Sequence, residues 1–328
     1  MDAFTRRAFA ATVAAAAVVP RAVLAQTAFL PSRPVKFIVP FPPGGGADVV
    51  ARQLAEGLKK SFDAPVVVEN KPGAGGLLGL QEIGKAPPDG HTIGHFISGH
   101  TTLQTLFHKA TLLDLIVPVC RLSYYNLGIL VGEGSRYDTL ESLLAAIKSK
   151  PGQVSMGISG IGNPGHIAWE LIRAKLGEGY QVNTIPFKGS PEVLQAMRGG
   201  QLDFSVAILG VFGPYLKPGG GIRAVAVTGA NRAKLFPQIP TVAEAGVPGF
   251  AYSAWDGIAA PAGTPPAILA AWHDLIRAAA GTPGYQRSAE LLEMAPAPSA
   301  SADAFGQFVR SELQREEALV REGKLKLS

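Results

Sequence analysis

A single cysteine, four methionines and a charged fraction of only 17% mark what this 328-residue chain has little of. One thiol, Cys120, closes no internal disulfide, so the chain is not a disulfide-stapled scaffold. Its neighbours Val117, Val119 and Leu122 place it in apolar core. So few charges leave little to lace a coiled coil or a surface ion-pair network. The basic residues are scattered apart from short pairs such as Lys59-Lys60, and the pI of 9.3 reflects a small excess over few acids. That is not a nucleic-acid footprint, and no nucleic-acid partner is expected. Beyond residue 25 no apolar run is long enough to cross a bilayer as a helix.

What is present begins with a leader. Arg6-Arg7 precede an uninterrupted apolar run at 8–19, and Val23-Leu24-Ala25 supplies a small-residue cleavage site. The stretch Thr5-Arg6-Arg7-Ala8-Phe9 resembles a twin-arginine signal, the alternative being an ordinary secretory signal with two chance arginines. Either way residues 1–25 are expected to be cleaved near Ala25 and the mature chain exported to the periplasm. Removing Arg6, Arg7, Arg21 and Asp2 leaves 27 basic and 24 acidic residues. A hydrophobic fraction of 47% and a mean hydropathy of +0.20 predict a buried core. The length suggests two domains of roughly 150 residues each.

Short β-branched runs alternate with amphipathic ones. Strands are expected at 35–39, 66–69, 92–97, 127–131, 154–159, 183–187, 204–208 and 223–228. Helices are expected at 48–61, 140–150, 166–176 and 191–198, and another opens at Thr264-Pro265 and closes at Gly281. Ser190-Pro191-Glu192 reads as a helix start and Gly199-Gly200 as its end. Such alternation predicts an α/β fold with largely parallel sheets.

The 39 glycines and 26 prolines are too few for a disordered chain and are unevenly spread. They gather at 40–46, 72–79, 87–90, 157–165 and 218–221. The first and fourth clusters each follow a strand and precede a helix, where parallel α/β folds bind ligands. Bare backbone N–H groups and a helix dipole at such a turn suit an anion.

Pro40 to Asp48 lacks the Lys-Ser/Thr ending of a phosphate-binding P-loop, and Asp48 reads as a helix-start residue. Gly160-Ile161-Gly162-Asn163-Pro164-Gly165 matches G-x-G-x-x-G, but Pro164 sits in the turn and no acid ends the next strand, so no dinucleotide cofactor is expected. Gly157-Ile158-Ser159-Gly160-Ile161 falls one residue short of a nucleophile elbow, and Pro164 sets the helix start about five residues too late. His91, His95, His100 and His108 invite a metal reading. Two histidines four apart on a strand lie roughly 13 Å apart, too far for one ion, so neither metal nor catalytic residues are expected.

The stretches PFPPGGGADVVAR, VVVENKPGAGG, KAPPDGHT, SGIGNPGH, PFKGS, GGQLD, IPTVAEAGVPG, SAW and PAGTP follow one another in order. Together they resemble the periplasmic substrate-binding components of the tripartite tricarboxylate transporter family, the Bug receptors, over essentially the whole mature chain. The resemblance implies a two-lobed type II periplasmic binding protein, each lobe a mostly parallel sheet flanked by helices. Lobe one would comprise 27–124 plus 252–328, and lobe two 125–251. It implies a monomeric, non-enzymatic protein that captures a small carboxylate in the cleft for uptake by a membrane permease. A ligand sensor for a periplasmic signalling partner and an exported serine hydrolase built on Ser159 are the alternatives.

Carried over by position, Pro40, Phe41, Pro42, Gly44, Gly45 and Gly46 would face the ligand from lobe one, with Ser98 and Thr101 flanking. Ser159, Gly160, Gly162 and Asn163 would grip from lobe two, with His166 and Asp48 as supports. Departures from the family pattern include Asn163 for Thr and Gly165 for Ser. Residues 99–116 lack the usual Asn-Pro and Pro-Tyr-Asp stretches. Ala207 stands where amine-binding members tend to carry Asp, which favours a plain mono- or dicarboxylate over an amino acid.

Overall fold

The computed structural model describes residues 29–107 and 112–325, so the expected export signal and His108 lie outside the described residues. Eleven strands among these residues form two sheets. The first contains β1 (Val35–Val39), β2 (Val66–Asn70), β3 (Thr92–Ile97), β4 (Ile116–Tyr125), β10 (Ala254–Pro261) and β11 (Met294–Pro296), in the order β11-β4-β10-β3-β1-β2. The second contains β5 (Leu127–Gly132), β6 (Ser155–Ile158), β7 (Asn183–Pro186), β8 (Phe204–Ile208) and β9 (Ile222–Val227), in the order β7-β6-β8-β5-β9.

Both sheets are mixed, which corrects the expectation of mostly parallel ones. The βαβ units β1-β2, β1-β3, β6-β7 and β6-β8 are parallel. Every pairing made by β4, β5 and β10 is antiparallel. These are the strands at which the chain passes between sheets, with Asn126 alone separating β4 from β5. A strand arriving from the neighbouring sheet enters from the opposite end, so it runs against the βαβ strands.

Among the described residues eleven α-helices flank the sheets: α1 (Gly46–Leu58), α2 (Leu77–Lys85), α3 (Ser98–Phe107), α4 (Leu112–Leu115), α5 (Leu140–Ser149), α6 (Pro164–Leu176), α7 (Ser190–Arg198), α8 (Leu209–Phe212), α9 (Pro266–Ala280), α10 (Pro283–Leu291) and α11 (Ala302–Arg321). The apolar stripe of α1, from Val50 and Ala51 through Leu54 to Leu58, is buried with the β1 side chains Val35, Phe37 and Val39. Each fully buried aliphatic or aromatic side chain contributes about 1.5–3 kcal/mol. On the other face of the first sheet, Trp255 packs edge-on against Phe96, Phe305 and Phe308 and fixes α11. The second sheet is anchored by Trp169 of α6, which meets Phe204 of β8 edge-on at 4.9 Å.

Candidate functional site

Three helices start at one place. Residues from the N-termini of α1, α6 and α7 line a cavity of about 60 Å³ between the two sheets. The first N–H groups of a helix have no intrahelical acceptor and form the positive end of its dipole. On α1 these are the backbone groups of Gly46 and Ala47 at the cavity wall. On α6, Asn163 Oδ1 accepts the His166 N–H at 2.9 Å and Pro164 has no N–H, which leaves Gly165 at the wall. Gly189, Ser190 and Pro191 bring the third helix end. Among the described residues no Lys or Arg lines the cavity, so its attraction for an anion comes from the helix ends.

Side chains behind each loop hold its shape. Gly44 has φ +80°, a conformation open to glycine, and its N–H donates to Asp48 Oδ2 at 3.0 Å. Asn70 Nδ2 donates to Asp48 Oδ1 and to the Phe41 carbonyl, both at 3.0 Å, while Arg52 Nε donates to Asp48 Oδ2 at 3.0 Å. Burial alone would raise the Asp48 carboxyl, but Arg52, the Gly44 N–H and Asn70 together hold it below the usual range. In the second loop, Asn163 Nδ2 donates to Ser159 Oγ at 2.7 Å. The Gly162 N–H donates to His166 Nδ1 at 3.3 Å. Burial, with the charge of Arg173, pulls His166 down to about 4, so it is a neutral acceptor at physiological pH.

The expected site residues divide accordingly. Phe41, Pro42, Gly45, Gly46, Ser159, Asn163 and Ala207 line the cavity. Gly44 and Gly162 commit their N–H groups to Asp48 and His166 instead. Pro40 lies against Gly79, and Gly160 against Gly75, where a Cβ on Gly160 would come within 2.8 Å of the Gly75 Cα. That contact joins the two lobes, as does Gly99 against Gly162, so the cleft is closed. Ser98 and Thr101 do not line the cavity. Because α3 begins at Ser98, its first turn faces α11, and Thr101 Oγ1 lies 2.6 Å from the Ser98 carbonyl and 3.0 Å from Glu316 Oε1.

Sequence reasoning missed the floor of the cavity. His95, Ile97, Tyr125, Asp256 and Met294 reach it from β3, β4, β10 and β11. His95 Nε2 donates to Asp256 Oδ2 at 3.0 Å, and Ser123 Oγ donates to Asp256 Oδ1 at 2.5 Å. Asp256 is fully buried and His95 nearly so. The available signal was an acid inside the apolar run AWDGIAAP and a histidine inside TIGHFI, since strand interiors seldom carry either without a purpose.

Two α/β lobes closed over a cavity at the ends of their strands define a solute-binding protein of the periplasmic type. This chain belongs to the tripartite tricarboxylate transporter receptor family, whose model matches residues 50–325. It is 32% identical to Protein BugT of Bordetella pertussis, over 90% of this chain and 91% of that one. The solved structure of the periplasmic binding protein BugD superposes with a TM-score of 0.81 at 27% identity, covering 89% of this chain and 98% of BugD. MatC from Rhodopseudomonas palustris, solved with bound malate, superposes at 0.82 and 28% identity, covering 89% of this chain and all of MatC. A second R. palustris protein, solved with adipate, gives 0.82 at 26% identity, covering 89% and 98% of the two chains.

Proposed function

We propose that this chain is exported to the periplasm, captures a small carboxylate between lobes 27–124 plus 252–328 and 125–251, and delivers it to a membrane permease. The observation that carries this reading is the meeting of three helix N-termini on one cavity whose described lining has no Lys or Arg. Such a site holds an anion through oriented backbone N–H groups, without a fixed counter-ion to compete with release. The malate and adipate held by the two similar structures are anions of this kind. Asn126, between β4 and β5, and the stretch before β10 are the points about which the lobes would hinge.

The hydrolase alternative is the weaker reading. The hydrogen bond on Ser159 Oγ comes from Asn163, and His166 Nδ1 is turned to the Gly162 N–H. A thermal-shift screen of the mature protein against carboxylates, sugars and metal ions tests the assignment. A carboxylate at 100 times its Kd should stabilise the chain by about 2.7 kcal/mol. A shift with sugars or metals and none with any carboxylate would overturn it.

A further inference from the structure

The floor of the cavity carries a polar group that the loops do not explain. His95 and Asp256 stand on the cavity-facing side of the first sheet, on neighbouring strands β3 and β10. Both Asp256 oxygens are engaged, one by His95 Nε2 and one by Ser123. His95 Nδ1, by contrast, is buried without a hydrogen-bond partner. A buried polar nitrogen left in that state costs on the order of 1–3 kcal/mol, so a site that keeps one is built around something that satisfies it.

We propose that His95 is the specificity-determining residue of the cleft: its Nδ1 meets the second, distal carboxylate of a dicarboxylate whose first carboxylate sits on the helix ends. This rests on the carboxylate-receptor reading above. With Nε2–H committed to Asp256, Nδ1 needs a proton to meet a carboxylate oxygen. A distal carboxylate therefore enters with one proton, which joins Nδ1 and the ligand oxygen, while Asp256 steadies the imidazolium. Without that proton two carboxylates would face each other in a dry cavity, which is strongly unfavourable. A monocarboxylate with an apolar tail leaves Nδ1 unsatisfied, and the floor rejects it as a site built to hydrogen-bond rejects an analogue lacking the group.

The other titratable groups coupled to the pair are Cys120 and Tyr125 on β4, His100 on α3 and Tyr285 on α10, while the charged Arg277 on α9 acts on Cys120. Burial, with His95 nearby, drives His100 down to about 3, and burial lifts Cys120 to about 11 and both tyrosines above their usual range. Cys120, His100 and both tyrosines stay neutral between pH 6 and 8.5, so none of them produces a pH dependence of binding in that window.

Isothermal titration of the mature protein with two matched pairs, succinate with butyrate and adipate with hexanoate, tests the proposal. Each pair differs only in a distal carboxylate replaced by methyl. The better dicarboxylate should bind at least tenfold more tightly than its partner. Its affinity should rise up to tenfold per pH unit as pH falls from 8.5 to 6, with one proton taken up, while the monocarboxylate's affinity stays flat. In His95→Gln, which retains a donor for Asp256, both the preference and the proton uptake should vanish. If that variant is poorly folded by circular dichroism, His95→Leu combined with Asp256→Asn removes the charged pair and should give the same loss. Equal binding of dicarboxylate and monocarboxylate, or a preference that survives in a folded variant, would overturn the role of His95 and leave the carboxylate reading standing. Failure of all four acids, with a sugar or metal bound instead, would overturn both.

Discussion

Gly165 shows how closely one residue can be tied to the site. At the first turn of α6 it sits so near β8 that a Cβ would lie 1.8 Å from the Val206 carbonyl oxygen. No rotamer relieves a contact made by Cβ itself, so a side chain here must push α6 off the second sheet. Gly165→Ser, which installs the residue usual in the family, should therefore destabilise the chain by about 1–3 kcal/mol, the range for overpacking. Because Gly165 lies in the cavity wall, ligand affinity should fall with it. Urea denaturation of the two proteins checks the first effect, and unchanged stability would refute the contact. The same residue marks the limit of sequence reading. Its departure from the family pattern was visible. Glycine clusters at strand-to-helix turns signal open backbone and pointed to the loops of Gly45 and Gly46 and of Ser159 and Asn163, while the individual residues came from the family resemblance. His95 and Asp256 were not assigned, because a polar residue in a strand shows its purpose only when the sheet order brings its partner beside it.

At the scale of elements, the alternation of β-branched and amphipathic runs located eight strands and most of the helices of the βαβ units. It did not mark β4 or β10, and the reason is burial. Every residue of β10 is buried, so no period-two contrast remains, and its run AWDGIAAP includes glycine and proline, which read as punctuation. The packing of α3 on α11 was equally hidden, since it joins segments more than 200 residues apart, and it has a pH signature. Thr101 Oγ1 is 2.6 Å from the Ser98 carbonyl and 3.0 Å from Glu316 Oε1. The Thr101 hydroxyl donates to Glu316 Oε1, and with Thr102 it favours the ionised carboxyl. Burial, aided by the charge of Glu312, outweighs them and raises the Glu316 carboxyl to about 8. A carboxyl whose folded value lies above its unfolded value stabilises most at low pH. That contribution is lost as pH rises from about 4.5 to 8, at up to about 1.4 kcal/mol per unit. Glu316→Gln cannot ionise, so it should be more stable than the parent at pH 8 and should show a flatter stability profile across that window. Parallel profiles for the two proteins would refute the assignment.

At the scale of the whole molecule, the two lobes are joined by more than the crossing strands and the ligand. The loop after β9 reaches α10 and the turn that follows it. There Glu293 accepts the backbone N–H groups of Lys234, at 3.1 Å, and of Leu235, while Lys234 Nζ pairs with Glu290 at 3.1 Å. Glu293 does this from a strained backbone, at φ +56°, a conformation that costs a residue with a side chain of order 1 kcal/mol or more. The carboxylate bonds must offset that cost in the closed form. Where opening draws the loop off α10 these bonds are lost, and they would then favour the closed form. Partial exposure keeps each bond near the low end of its range, about 0.5–1 kcal/mol net. Glu293→Ala removes both bonds and should weaken ligand binding about five- to thirtyfold, since each 1.4 kcal/mol is a factor of ten. The loss should appear as faster dissociation, because a clasp made only in the closed state slows reopening rather than capture. Glu293→Gly separates the bonds from the strain. It relieves the backbone yet still lacks the carboxylate, so its affinity should fall as well even if its folding stability rises. Stopped-flow dissociation of both variants, read through tryptophan fluorescence where ligand changes it and by ligand competition where it does not, decides the matter. An unchanged dissociation rate in both would show that the lobes are held by ligand and hinge alone.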